Sequence, residues 1–129
     1  MAKIAVIGLS GQSIFMKVNN LPTPSTTIHS TNLYIEPGGK GYNQAVACKK
    51  LGAEVSYFSK VGCDEYGNIC ENYLKDLGIK TIFEKDKILN TALATILTDD
   101  LAENEAIVYK GASSNLNVSE LKDFESEIA

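Results

Sequence analysis

The 129 residues contain no tryptophan, a single histidine and only three cysteines, three prolines and two methionines. Each scarcity removes a class of function. The lone histidine, His29, stands among serines and threonines and reads as a surface residue rather than a general base. Cys48, Cys63 and Cys70 are odd in number and lack the close pairing of a zinc site, so they read as reduced, packing thiols. Basic residues are outnumbered, 12 against 16 acidic, and the net charge of -4 leaves no stripe to neutralise phosphates, which argues against general nucleic-acid binding. No apolar run approaches the roughly 20 residues that cross a bilayer. The apolar stretch at residues 3–8 is broken by Gly8, Gly11 and Gln12 where a secretory signal would continue, so a cytoplasmic chain is expected. Small-molecule chemistry is what these absences leave.

What is present reads as alternating strands and helices. Residues 3–8, KIAVIG, form a short apolar run stopped by glycine, the pattern of a buried parallel strand. Residues 11–37 carry Pro22, Pro24 and many Ser and Thr, which suits exposed antiparallel strands, with 31–35 the clearest. A glycine turn then leads into a helix over 42–51, ended by Gly52. Residues 54–61 alternate as a second core strand, Asp64 stands as the N-cap of a helix over 65–77, and 80–84 is a candidate third strand. Residues 91–98 and 106–110 flank an acidic hairpin loop, and 118–128 carry a helical pattern with Leu121, Phe124 and Ile128 on one face. Strand, excursion, helix, strand, helix is the order of a parallel α/β domain.

The first strand is not followed by the G-x-G core of a dinucleotide site, and the later glycines do not have the spacing of a phosphate-cradling loop. Gly38-Gly39-Lys40-Gly41-Tyr42-Asn43 instead places backbone amides, one ammonium and one carboxamide at the start of a helix. Such a set suits a polyhydroxylated ligand, and equally a plain tight turn whose Asn43 caps the helix. Asp64 reads as a cap, Asp99 and Asp100 as hairpin-loop residues, and Asp76 as an exposed helical residue.

The run EPGGKGYNQAVACKKLGAEVSYFSKVGCDEYG, residues 36–67, resembles the first signature region of the ribokinase-like, or PfkB, carbohydrate kinases. IAVIG, LPTPSTTIHS and TALATILTDDLAENEAIVYKGAS extend the resemblance over nearly the whole chain. It implies an α/β fold, the N-terminal part of a ribokinase-like three-layer sandwich with a small β-sheet lid. Two lid segments are expected, at about 12–37 and 90–111. It further implies transfer of the γ-phosphoryl group of ATP, with Mg²⁺, to a sugar hydroxyl, and a homodimer formed through the lid. Carried over residue by residue, Gly39, Lys40 and Asn43 would hold sugar hydroxyls, Gly38 and Gly41 would permit close approach, and Ala94 and Val108 would cover the sugar.

Two departures bear on function. Where the family shows Asn and Asp after the first strand, this chain has Gly11 and Ser13 around Gln12, so a carboxylate acceptor has become one hydroxyl. Gln12 or Ser13 remains a candidate contact, but ribose itself is in doubt. The family's catalytic base and nucleotide pocket lie in a C-terminal half with no counterpart in these residues. The 129 residues alone are therefore expected to bind no cofactor or metal, to carry no catalytic residue and to be inert. The rival readings are a non-catalytic sugar-binding or dimerisation module, and a kinase of a nucleoside or sugar phosphate.

Overall fold

The computed structural model describes residues 1–117 together with 119 and 125. In chain order the elements are β1 (Lys3–Ile7), β2 (Gly11–Lys17), β3 (Asn32–Gly38), α1 (Lys40–Lys50), β4 (Glu54–Gly62), α2 (Glu65–Asp76), β5 (Lys80–Asp86), β6 (Ala92–Thr98) and β7 (Asn104–Tyr109), followed by a 3-10 turn at Gly111–Asn115. The helical pattern expected over 118–128 lies outside the described residues, Ser119 and Glu125 excepted.

The strands divide into two sheets. β1, β4 and β5 form a parallel sheet in the order β1-β4-β5. Strands of this kind need crossover connections, and α1 and α2 supply the covering layer. Tyr42 and Ala45 of α1, Cys70 and Leu74 of α2, and Val55 and Tyr57 of β4 meet in one buried cluster with Ile79. The rings of Tyr42 and Tyr57 meet edge-on at 5.9 Å, and the Tyr42 hydroxyl donates to the Cys70 carbonyl at 2.7 Å, so this core is sealed without an unpaired phenol.

β1 departs from expectation. It is parallel, as its apolar run suggests, but its residues alternate between exposed and half-buried, and Ile7 is 46% exposed. The reason is topological: among the described strands it pairs with β4 alone. A run of Val and Ile reports burial only when both sides are covered.

The second sheet has the order β3-β2-β6-β7. β2 pairs antiparallel with β3 and parallel with β6, and β6 pairs antiparallel with β7. Residues 12–37 and 90–111 are thus joined in one sheet across a long sequence separation. β3 also runs through Glu36-Pro37 to Gly38, further than the 31–35 pattern suggests, because Pro37 lies opposite Gln12 on a strand with only one neighbour in the sheet.

Two aspartates fasten this sheet to the core. Asp64 caps α2 by accepting from the Gly67 amide at 2.8 Å, and also accepts from the Thr91 hydroxyl at 2.5 Å and the Thr91 amide at 2.8 Å. The Thr91 hydroxyl accepts in turn from the Gly62 amide at 2.9 Å. Asp86 accepts from the Ile88 and Leu89 amides at 2.8 and 2.9 Å and from the Asn115 side chain at 2.6 Å. The residues that flank the β6–β7 hairpin, Thr91 and Asn115, are therefore held by carboxylates at the start of α2 and the end of β5.

Candidate functional site

A cavity of about 590 Å³ opens where the C-terminal end of β1 and the N-terminus of α1 meet the second sheet. Its wall contains Gly11, Gln12 and Ser13 of β2, the Gly38-Gly39-Lys40-Gly41 turn, and Ala94 and Val108 of β6 and β7. Pairing explains the last grouping: Ser13 is opposite Ala94, and Ala94 is opposite Val108, so the three form one row across adjacent strands.

The glycine turn is shaped by close approach. Gly39 has φ of 130°, and a β-carbon there would lie 2.2 Å from the Leu9 carbonyl oxygen, so no other residue fits. Gly41 and Gly8 approach so closely that a β-carbon on either would stand 2.9 Å from the other's Cα. At Gly11 a β-carbon would sit 2.4 Å from the Ala92 carbonyl oxygen, which accounts for the missing side chain at that position.

Asn43 does not cap α1. Gly39 is the N-cap, no side chain caps the helix, and the Asn43 amide makes an ordinary turn bond to the Gly39 carbonyl at 2.9 Å. The Asn43 carboxamide is exposed; its oxygen and the Ser13 hydroxyl flank Gly38, 3.8 and 3.5 Å from where a β-carbon on that glycine would be. Asn43 stands beside the cavity rather than in its wall. The uncapped first turn of α1 leaves its amides available to a ligand in the cavity.

Gln12 is turned the other way. It is buried, and its carboxamide donates to the Cys70 sulfur at 3.8 Å, so its side chain is committed to the core. Burial pushes the Cys70 thiol up to about 12, which makes it a packing group rather than a nucleophile. The remaining cysteines are free, with Cys63 exposed.

Ser10 lines the cavity and is backed by hydroxyls of the core, a set that the sequence reading missed. Tyr57 donates to the Leu9 carbonyl at 3.0 Å, Ser10 donates to the Tyr57 hydroxyl at 3.2 Å, and Ser10 and Ser59 share a bond at 2.8 Å. Burial raises Tyr57 to about 12 against the bonds from Ser10 and Ser59, so it remains a protonated donor and fixes the turn after β1. Lys110 and Ser113 also line the cavity. Lys110 was legible in principle, since it lies two residues from Val108; Ser113 was not, because the 3-10 turn breaks the alternation.

The aspartates behave as caps and turns. Asp99 accepts from the Leu101 and Glu103 amides, both at 2.9 Å, and His29 and Asp76 are exposed. Burial pushes Asp64 up, but the bonds from Thr91 and Gly67, with Lys85 nearby, hold it below the ordinary carboxylate range. Among the described residues no group of three His, Cys, Asp or Glu could hold a metal ion. No described helix is long and apolar enough to cross a membrane.

A parallel α/β layer joined to a separate four-stranded sheet, with a glycine-built cavity between them, defines the ribokinase-like class of fold. The chain belongs to the pfkB family of carbohydrate kinases, whose family model it matches over residues 1–129. It is 34% identical to the ribokinase of Bacillus subtilis over 119 residues, covering 90% of this chain and 40% of that protein. Among solved structures, ribokinase from Giardia lamblia superposes with a TM-score of 0.90 at 28% identity, over 98% of this chain and 41% of that one. Arabidopsis thaliana ribokinase complexed with ribose and ATP gives 0.78 at 26% identity, over 87% and 37%. The chain spans about 40% of the length of the curated relatives it matches.

Proposed function

We propose that these residues form the acceptor-sugar part of an ATP-dependent sugar kinase, with the second sheet as a lid. The observation that carries this reading is the uncapped N-terminus of α1, presented by the glycine turn to the same cavity as the Ser13–Ala94–Val108 row. First-turn amides, Lys40 and the Ser13 hydroxyl offer hydrogen bonds to sugar hydroxyls, with Asn43 at the margin. Ala94 and Val108 exclude water when the lid closes. Gly38 and Gly41 let the main chain come near the ligand, and Gly11 keeps β2 against β6.

The nucleotide, Mg²⁺ and the base that deprotonates the acceptor hydroxyl belong, in this reading, to a part of the kinase that these residues do not include. Phosphoryl transfer rests on positioning the donor and stabilising the charge that spreads over the transferred group, so the 129 residues alone transfer nothing. The exposed outer face of the lid, with Leu33, Ile35 and Ile107, is the surface through which two copies pair.

The test is ATP-dependent phosphorylation over a panel of sugars and nucleosides, using this chain beside the undivided product of its gene. Turnover by the undivided product alone is the expected result. Turnover by the 129 residues would overturn the division of labour, and failure of both on every acceptor would overturn the kinase reading.

A further inference from the structure

Two polar groups of the cavity wall, Ser113 and Lys110, have no part in holding the sugar hydroxyls described above. Ser113 is only 5% exposed, lines the cavity, and its hydroxyl oxygen has no hydrogen-bond partner among the described residues. An unpaired buried hydroxyl costs free energy unless a ligand completes it. Lys40 and Lys110 line the same cavity, one from the start of α1 and one from the end of β7, although they are far apart in sequence. The first turn of α1 adds the positive end of a helix without a side-chain cap.

Against these stand no carboxylates: neither Asp nor Glu is part of the cavity wall. The acidic residue in the neighbouring register position, Glu36, lies opposite Ser13 on the outer strand β3 and accepts from the Tyr34 hydroxyl at 2.9 Å. A site for a neutral polyol balances donors with acceptors, because each sugar hydroxyl both donates and accepts. This wall is rich in donors and carries two ammonium groups.

We propose that the acceptor is an anionic sugar, bearing a phosphate or a carboxylate, and that Lys110 and Ser113 at the foot of β7 bind that anion together with Lys40. This deepens the sugar-kinase reading and rests on it for the reaction, but not for the binding. The anion neutralises two positive side chains in a partly enclosed cavity, and its oxygens accept from the otherwise unpaired Ser113 hydroxyl.

The experiment uses the chain as its gene encodes it. Binding of fructose, fructose 6-phosphate, glucose and gluconate is measured by titration calorimetry, and kcat/KM with ATP is measured for the same four. At least one anionic sugar is expected to exceed its neutral parent by roughly tenfold in affinity, the scale of one charge-assisted bond. Lys110→Gln is expected to erase most of that ratio, Ser113→Ala to reduce it, and Lys87→Gln, an exposed lysine outside the cavity wall, to leave it unchanged. Which of the two anionic sugars is preferred separates phosphate from carboxylate.

Preference for both neutral parents, no binding of any of the four, or an anion preference indifferent to Lys110→Gln would each overturn the proposal. So would a Lys110→Gln effect confined to the KM for ATP, which would assign the lysine to the donor's phosphates. Anion-selective binding without turnover would sustain the proposal while removing the kinase reading, so the two fail separately.

Discussion

β4 is buried along most of its length, with Tyr57, Phe58, Ser59 and Val61 all inaccessible, whereas β7 is exposed at every residue. Both are regular strands of similar composition. The core sheet is held by what it covers, so its register is fixed by apolar burial. The second sheet has little to cover among the described residues, and depends on its ladders and on the pins that Asp64 and Asp86 place at the base of the β6–β7 hairpin. The difference teaches that one chain can set a rigid wall and a weakly packed one around a single cavity, using hydrogen bonds at the joint instead of hydrophobic mass.

The largest effect expected from breaking this contrast is in the core. Phe58→Ala should cost about 3–5 kcal/mol, while Val108→Ala, on the exposed sheet, should stay within about 0.5 kcal/mol of the parent. Urea denaturation reads both, and equal losses would erase the distinction. Gly39→Ala comes next, at about 1–3 kcal/mol from the strained backbone alone. The collision with Leu9 should also remove acceptor binding more than tenfold in calorimetry.

Thr91→Val keeps the shape of the joint and removes its hydroxyl, leaving Asp64 and the Gly62 amide each short of a partner. The expected loss is about 1–3 kcal/mol, with amide-exchange protection falling further in β6 and β7 than in β4 and β5. A uniform fall would mean that the joint is part of the core rather than a pin. Asp86 sharpens the same point through pH. The Leu89 amide, the Asn115 side chain and the Ile88 amide hold it at about 2, below its unfolded value. Its contribution is therefore whole above about pH 4 and is lost as the pH falls toward about 2. Asp86→Asn should flatten the acid limb of the stability profile in that window. Smallest in stability is Ile107→Lys, on a side chain 77% exposed, expected within about 0.5 kcal/mol of the parent. Sedimentation velocity should nevertheless show loss of a dimer if the outer lid face is the contact.

The helices and core strands were legible because their signals are local. Asp64 sits one residue before α2, and Gly52 and Gly78 follow the helix ends within two residues. The glycine turn was legible through its resemblance to a family rather than through spacing. What escaped reading depends on contacts distant in sequence. The exposure of β1 follows from its neighbours, the turning of Gln12 toward Cys70 from the register of β2, and the placing of Lys40 and Lys110 around one cavity from the parallel pairing of β2 and β6. Ser113 carries no local mark at all; its unpaired hydroxyl is defined only by what surrounds it.

The parallel pairing of β2 with β6 also has a consequence in time. On a ribosome the β2–β3 hairpin emerges long before its partner, and a two-stranded hairpin is marginal in water by itself. It must wait, edge uncovered, while α1, β4, α2 and β5 are made, and it is completed only when residues 92–98 arrive. Closing so long a loop is slow, and an open strand edge is the part of a nascent chain most exposed to pairing with another copy. The yield of folded protein should therefore depend on how quickly synthesis crosses that interval, and slow translation through it would favour aggregates nucleated at β2.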